Sequence, residues 1–489
     1  MKALQRILVS AVLCLVTGMQ GGCDRERTAR DQASAPAVDG PTPNIILVMI
    51  DALRADRLGV QGHPRKLTPT LDSIAAGSVI FERAIAAAPW TQPSIASLFS
   101  GCYPGVHQVT DFGFAVDATN RKVPKIRVFR DSFDTMAEAL RARGYSTAGF
   151  VANPFVLADY GFAQGFDHFD TTFIGLTTPG SVINDAAIAW LQQRDVERPF
   201  FLYLHYMDVH GPYHAPPEFL DPLVDEVDAM PAKRSITDKD IRRLAYLGGA
   251  PPGCTDLPRF ERLSHYQEYW AARYDAGVAQ ADHYLGELRS KLQTMKLWET
   301  AYVIVTADHG EALFEHGHWD HGLSTHHPEL HVPLIVRWPT ALPADTRVAD
   351  TVRLIDLFPT LVEQLRLPKV SRAQGRSLLP LLADQAPAAP LPAFAEAVKK
   401  GPEQYALYRG DWKLILHADS GSARLYNIAD DPLEQRDLAA NAPAQLKSLT
   451  ALVQERLGRN RRLAAGEPVE EIPLTPDRLD RLRSLGYVE

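Results

Sequence analysis

Four continuous apolar runs punctuate the chain, and each one stops abruptly at a polar residue. Asn44-Ile-Ile-Leu-Val-Met-Ile50 ends at Asp51, and Ala148-Gly-Phe-Val-Ala152 ends at Asn153. Phe200-Phe-Leu-Tyr-Leu204 ends at His205, with Asp208 and His210 just beyond, and Ala301-Tyr-Val-Ile-Val-Thr-Ala307 ends at Asp308-His309. Unbroken rather than alternating hydrophobicity predicts strands buried on both faces, as in a parallel sheet. Helical spacing occupies residues 135–143, stopped by Gly144, and residues 266–292. Strands alternating with helices predict an α/β fold, with a mostly parallel central sheet flanked by helices. Ligands of such sheets bind beyond the carboxyl ends of the strands. Four runs delivering Asp, Asn and His at that end therefore predict one shared polar site.

The pattern changes near residue 385. Tyr405-Ala-Leu-Tyr-Arg409, Trp412-Lys-Leu-Ile-Leu416 and Ala423-Arg-Leu-Tyr-Asn427 are short strand-like segments separated by turn residues, followed by one amphipathic helix over 444–457. They predict a small C-terminal antiparallel sheet plus helix. The organisation expected is a catalytic domain over 44–385 and a C-terminal subdomain over 386–489.

The N-terminus has its own character. Lys2 and Arg6 precede the apolar run Ile7–Val16, and Gly21-Gly22-Cys23 follows. A basic n-region, a short apolar core and a small-residue cleavage site read as an export signal over 1–23, too short for a membrane span. Gly-Gly-Cys also resembles a bacterial lipoprotein signal. Cys23 is then the lipidation site and a membrane anchor, the chain residing in the periplasm or cell envelope; an ordinary cleaved signal is the alternative. Residues 24–43 are charged, then Ala/Pro-rich, and read as a tether.

Charge narrows the field. The 51 Lys and Arg against 59 Asp and Glu leave a formal charge of −8, which argues against non-specific nucleic-acid binding. Beyond the leader only Cys102 and Cys254 remain, so one disulfide is open and a thiolate zinc site is not.

Three segments carry candidate chemistry. Thr91-Gln-Pro93-Ser94, running to Ser100-Gly101, reads as a helix start with Thr91 as its N-cap, Pro93 in the first turn and Gly101 at the end. A hydroxyl there faces the positive end of the helix dipole, where anions bind, although a plain capping role is the simpler reading. Seven of the sixteen histidines lie between His309 and His331. Asp308-His309 at the end of a buried strand calls for a cation, since an unpaired charge there is costly. His316, His318, His326, His327 and His331 read as a solvated loop. His205, Asp208, His210 and His214 surround a Gly211-Pro212 turn that lets side chains converge.

These segments, in this order, resemble the sulfatase family of the alkaline phosphatase superfamily. Thr91-x-Pro93-Ser94 followed by Ser100-Gly101 is similar to its nucleophile signature, Asp308-His-Gly-Glu311 to its second metal motif, and Leu425-Tyr-Asn-x-x-x-Asp431-Pro-x-Glu434 to its C-terminal motif. The resemblance covers nearly everything after residue 43 and implies an alkaline phosphatase-like fold and a metal-dependent ester hydrolase. The departures are informative. The family's formylglycine-forming Cys or Ser is Thr91, which cannot undergo that conversion; its following Arg is Ile95; its Asp-Asp pair is Asp51-Ala52; its Asp-Asn pair is Asp308-His309; and its Lys-x-His is Ala152-Asn153-Pro154. The replacements resemble the zinc sites of Thr-nucleophile relatives, the phosphodiesterases and phosphoethanolamine transferases. His321, twelve residues after His309, and the His210-Gly-Pro turn fit the same group.

The resemblance thus implies Thr91 as nucleophile; His210 and Asn153, the latter expected to hydrogen-bond a non-bridging oxygen, are the further catalytic candidates. Asp51, Thr91, Asp308, His309, His210 and His321 are the metal ligands implied, for one or two zinc ions, with calcium as the alternative. A mixed N/O ligand set suits zinc better than calcium. The expected substrate is a phosphate ester of a small molecule, glycan or lipid headgroup. The alternatives are a sulfatase working without formylglycine, a phosphotransferase, and a non-catalytic binding protein on the same scaffold.

Overall fold

The computed structural model describes residues 42–110, 112–116, 122–225, 267–317, 319–339, 342, 344–382, 391–399 and 401–476, with 478, 479 and 482. The leader with Cys23, most of the tether, Cys254, His318 and most of the segment 222–262 lie outside the described residues.

Eight strands form the central sheet: β1 (Ile45–Ile50), β2 (Val79–Ile85), β3 (Ser146–Val151), β4 (His168–Asp170), β5 (Phe200–Tyr206), β6 (Tyr302–Thr306), β7 (His331–Arg337) and β8 (Thr346–Arg353). Their order across the sheet is β8-β2-β7-β6-β1-β5-β3-β4. Strand β7 runs antiparallel to both neighbours and all other pairs are parallel. All six residues of β1 are fully buried, as an unbroken apolar run in a sheet covered on both faces requires.

The helices around the sheets include α1 (Thr91–Ser100), α2 (Met136–Ala142), α3 (Gly180–Gln193), α4 (Gln267–Thr294) and α5 (Pro443–Ala464). Helix α2 starts where its sequence says it should. Thr135 Oγ1 accepts from the Glu138 amide at 3.1 Å and Glu138 Oε2 accepts from the Thr135 amide at 3.0 Å, a capping box whose cap alone is worth about 1 kcal/mol. Among the described residues no helix is long and apolar enough to cross a membrane.

Strands β9 (Ala393–Ala395), β10 (Gln404–Arg409), β11 (Trp412–His417) and β12 (Ala423–Asn427) form the small antiparallel sheet. Helix α5 packs Leu449 and Val453 into an apolar cluster with Phe394, Leu407, Leu414 and Leu425, which also takes in Tyr103 and Ile355. A further small sheet, Phe112–Val116, Lys122–Arg127 and Glu471–Pro473, was not anticipated from the pattern.

Candidate active site

The register of three adjacent parallel strands brings the site together. Met49 pairs with His205 on β5 and with Thr306 on β6, so Asp51, His205 and the Asp308-His309 pair emerge side by side at the carboxyl ends. Asn153 follows β3 on the other side of β5. Helix α1 then places Thr91 over this edge, and Ser94 Oγ donates to the Asp308 carbonyl at 2.5 Å, locking the helix to the end of β6.

Thr91 does not cap its helix. Trp90 occupies the N-cap position and Thr91 is the first helical residue, with no side-chain capping bond. The hydroxyl belongs to a residue only 2% exposed and faces the strand ends, 3.3 Å from His309 Nε2 and 3.3 Å from Asn153 Nδ2. The capping expectation is therefore corrected: the side chain points at the site instead of back along the backbone.

Around it, two carboxylate oxygens without donors converge with the His309 imidazole. His309 Nδ1 donates to the Gly310 carbonyl at 2.8 Å, which leaves a lone pair on Nε2. That nitrogen lies 3.5 Å from Asp51 Oδ1 and 3.4 Å from Asp308 Oδ2, and both oxygens are buried with no hydrogen-bond partner. Asp51 Oδ2 is satisfied by Asn153 Nδ2 at 2.6 Å and His205 Nε2 at 3.0 Å; Asp308 Oδ1 accepts from the amides of Ala52 and His309. Each carboxylate thus spends one oxygen on the protein and aims the other inward. Orphaned buried acceptors cost free energy, and a divalent cation is the group that satisfies two carboxylate oxygens and an imidazole together.

Electrostatics says the same. Burial, and then the negative charge of Asp51, push the Asp308 carboxyl up to about 7. Burial opposes ionisation of Asp51 too, but the neighbouring imidazoles, His210 foremost, and the hydrogen bond from His205 outweigh it and hold that carboxyl well below its ordinary range. Burial depresses His309 to about 4, so its imidazole is neutral and ready to ligate. Two carboxylates sharing a dry site cannot both ionise comfortably unless a cation lies between them.

Backbone strain supports the arrangement. Ala52 has a φ of 60°, which points its amide at Asp308 Oδ1, and it is pinned there by Tyr274, whose hydroxyl donates to the Ala52 carbonyl at 2.7 Å. Gly310 must be glycine, since a Cβ would stand 2.0 Å from the Pro328 carbonyl oxygen. Arg54 steadies the loop beyond, donating to the Glu311 carbonyl and the Glu315 carboxylate.

His321 and His210 extend the site. The His321 ring is 4.3 Å from that of His309 and 4.9 Å from that of His210. His321 Nδ1 meets Glu311 Oε1 at 3.2 Å and Asp320 Oδ1 at 3.1 Å, and His210 Nδ1 lies 2.7 Å from the Gly211 carbonyl. Glu311, Asp320 and His321 form a second group able to hold a metal, beside Asp51, Asp308 and His309. The predicted site residues Asp51, Thr91, Asn153, His210, Asp308, His309 and His321 are therefore contiguous. His205, expected at the end of its apolar run, joins them through its bond to Asp51, and Glu311 and Asp320 do so through His321.

Other expectations fail. Asp208 faces α3, accepting from the Gly180 amide with both oxygens at 3.1 Å, and His214 is exposed. Of the histidines read as a solvated loop, the four that the structure describes do not form one. His326 and His327 are buried, with His326 Nδ1 2.6 Å from Glu434 Oε2 and His327 Nδ1 3.2 Å from the Tyr408 hydroxyl. His316 stacks on His326 at 3.6 Å, and His331 Nε2 donates to the Glu82 carbonyl. The C-terminal sheet covers this loop, a contact that no local pattern announces.

Comparison with known proteins decides the family. The sulfatase family model matches residues 43–367. The chain belongs to the sulfatase family. It is a hydrolase of ester bonds on that footing, and a second model, for the C-terminal part of N-sulphoglucosamine sulphohydrolase, matches residues 314–462. Curated relatives include arylsulfatase K of Gallus gallus, 23% identical over 86% of this chain and 84% of that protein, and arylsulfatase K of Rattus norvegicus, 24% identical over 83% and 76%. Among solved structures, the phosphonate monoester hydrolase of Agrobacterium radiobacter superposes with a TM-score of 0.67 at 20% identity, covering 89% of this chain and 100% of that one. A protein solved with its substrate D-glucosamine-2-N,6-O-disulfate gives a TM-score of 0.68 at 20% identity, covering 87% of this chain and 99% of that one. This sulfatase-family chain thus shares its fold with both.

Proposed function

We propose that this sulfatase-family hydrolase cleaves phosphate esters with Thr91 as nucleophile. The supporting observation is the uncapped Thr91 hydroxyl, 3.3 Å from His309 Nε2, beside the partnerless oxygens Asp51 Oδ1 and Asp308 Oδ2.

Asp51, Asp308, His309 and Thr91 would hold one divalent metal, and His210 and His321 a second, or else they face the ester oxygens. Bound there, the ion, zinc on this mixed N/O set and calcium as the alternative, supplies a Lewis acid that acidifies the Thr91 hydroxyl and stabilises charge on the ester. Thr91 Oγ1 bonds to phosphorus as the bond to the leaving oxygen breaks, and that oxygen leaves as an alcohol. Water then splits the Thr91 phosphoester, restoring the hydroxyl and releasing phosphate. Asn153 gives one amide hydrogen to Asp51 and directs the other at Thr91 Oγ1, so its part is to aim the nucleophile.

Sulfate esters are the second reading, favoured by the arylsulfatase K relatives. The test is metal content by elemental analysis, with rates on matched nitrophenyl phosphate mono- and diesters and a sulfate ester. Zinc with phosphoester turnover supports the proposal, and preferential sulfate-ester turnover replaces it with the second reading. Absence of both metal and turnover leaves a binding protein on this scaffold. We place the enzyme in the cell envelope, held through lipidated Cys23 on a small-molecule, glycan or lipid-headgroup substrate. Mass spectrometry that finds an unmodified mature N-terminus removes the anchor.

A further inference from the structure

An anionic ester entering this site meets two carboxylates, Asp51 and Asp308, and needs positive charge near Thr91 beyond a metal at the strand ends. Arg54, the buried guanidinium nearest in sequence to Asp51, is committed to Asp56 and Glu315. The cation placed against the residues flanking the nucleophile comes from far along the chain.

Lys399 follows β9 in a segment clamped on both sides of the site. The Glu396 amide donates to the Ala87 carbonyl at 3.1 Å, and Trp90 Nε1 donates to the Ala397 carbonyl at 2.8 Å. The Lys399 amide donates to the Gly322 carbonyl at 2.8 Å, directly after His321. The contact is tight enough that a Cβ on Gly322 would stand 2.8 Å from Lys399 Cβ. The side chain is half-buried, with Nζ 5.3 Å from the Trp90 ring centre and 4.8 Å from that of Phe155. Trp90 immediately precedes Thr91, and the Phe155 amide donates to Asn153 Oδ1 at 2.8 Å. The ammonium therefore stands over the two aromatic rings bracketing the nucleophile and its amide partner. Ring faces attract a cation by its charge, and a flexible ammonium with three donors can regroup around an arriving oxyanion.

We infer that Lys399 binds an anionic oxygen of the substrate beside Thr91, a residue of the C-terminal region completing the anion site of the catalytic sheet. This rests on the ester-hydrolase reading above. The test is titration calorimetry of inorganic phosphate into the full metal-loaded chain, for wild type, Lys399→Met and Lys399→Arg, with nitrophenyl phosphate turnover on the same preparations and thermal melts as a fold check. Loss of one charge-assisted contact should weaken phosphate by about tenfold to a hundredfold in Lys399→Met, with Arg restoring most of it. KM should rise more than kcat falls, and metal content should stay unchanged. Wild-type phosphate affinity in Lys399→Met, or no phosphate binding by the wild type, overturns the inference. Weakened phosphate binding in Lys399→Met, with a wild type that turns over no ester, supports the anion site while removing the hydrolase reading.

Discussion

His309 Nε2 stands 3.3 Å from Thr91 Oγ1, and Asn153 Nδ2 approaches the same hydroxyl at 3.3 Å, so both neighbours of this oxygen are side chains of the site. A threonine merely starting a helix would turn its hydroxyl toward backbone amides; this one makes no such bond and leaves the N-cap to Trp90. Thr91→Ala should therefore lower turnover about a thousandfold or more, while the thermal melt of the chelator-treated variant stays close to that of the treated wild type. Thr91→Ser should keep measurable activity. Near-normal turnover by the alanine variant would take Thr91 out of the mechanism.

Asp51 Oδ1 and Asp308 Oδ2 lack partners and repel one another across the same space. Removing a bound cation should then cost stability, because binding to the native state alone stabilises it. Chelation is expected to lower the melting temperature of the wild type by about 5 °C or more. Asp308→Asn removes one of the repelling charges, so its chelator-treated form should melt at or above the treated wild type, and its metal content should fall. Equal metal retention in the two proteins would show that Asp308 Oδ2 is not a ligand.

The strands that carry the site were legible because they are buried on both faces, and such burial demands unbroken apolar runs: β1, β3, β5 and β6 each ended within two residues of the expected position. Strand β2 was not, because Glu82 and Arg83 interrupt it at a half-exposed position, and β8 carries Arg347 and Asp350 near the sheet edge. Site residues at strand ends could be named for the same reason. What stayed hidden were the contacts brought in by the C-terminal region, such as Lys399 against Trp90 and Glu434 under His326. These depend on how the C-terminal sheet docks, and nothing local encodes that.

Lys413 and Glu434 form a fully buried pair, Nζ to Oε1 at 2.5 Å, beneath the His326-His327 turn. Burial opposes the charge on Glu434, but the Lys413 ammonium and the bond from His326 hold its carboxyl well below the usual range. Neutralising one partner strands the other. Glu434→Gln should destabilise by about 3–5 kcal/mol in urea melts, whereas Lys413→Met combined with Glu434→Gln should recover a good part of that loss. If the double variant is the sum of the two single ones, the pair is not coupled and the docking of this turn has another origin.

Glu396 joins three parts of the chain: Oε1 accepts from the Gly105 amide at 2.7 Å and from Asn460 Nδ2 at 3.0 Å. Burial pushes its carboxyl up from the ordinary 4.5 to about 7, outweighing those two donors. A folded-state value above the unfolded one means that its contribution is fully present below about pH 4.5 and is lost as the pH rises through about 7. Glutamine keeps the acceptor oxygen and carries no charge at any pH. Relative to Glu396→Gln, the wild type should therefore lose stability across that window, by an amount on the order of 1–3 kcal/mol, and the difference should level off above it. Urea melts at pH 5 and pH 8 measure this directly. A gap between the two proteins that stays constant with pH would mean that Glu396 titrates at the same pH whether folded or unfolded, and that the Gly105 and Asn460 donors already balance the cost of burying its charge.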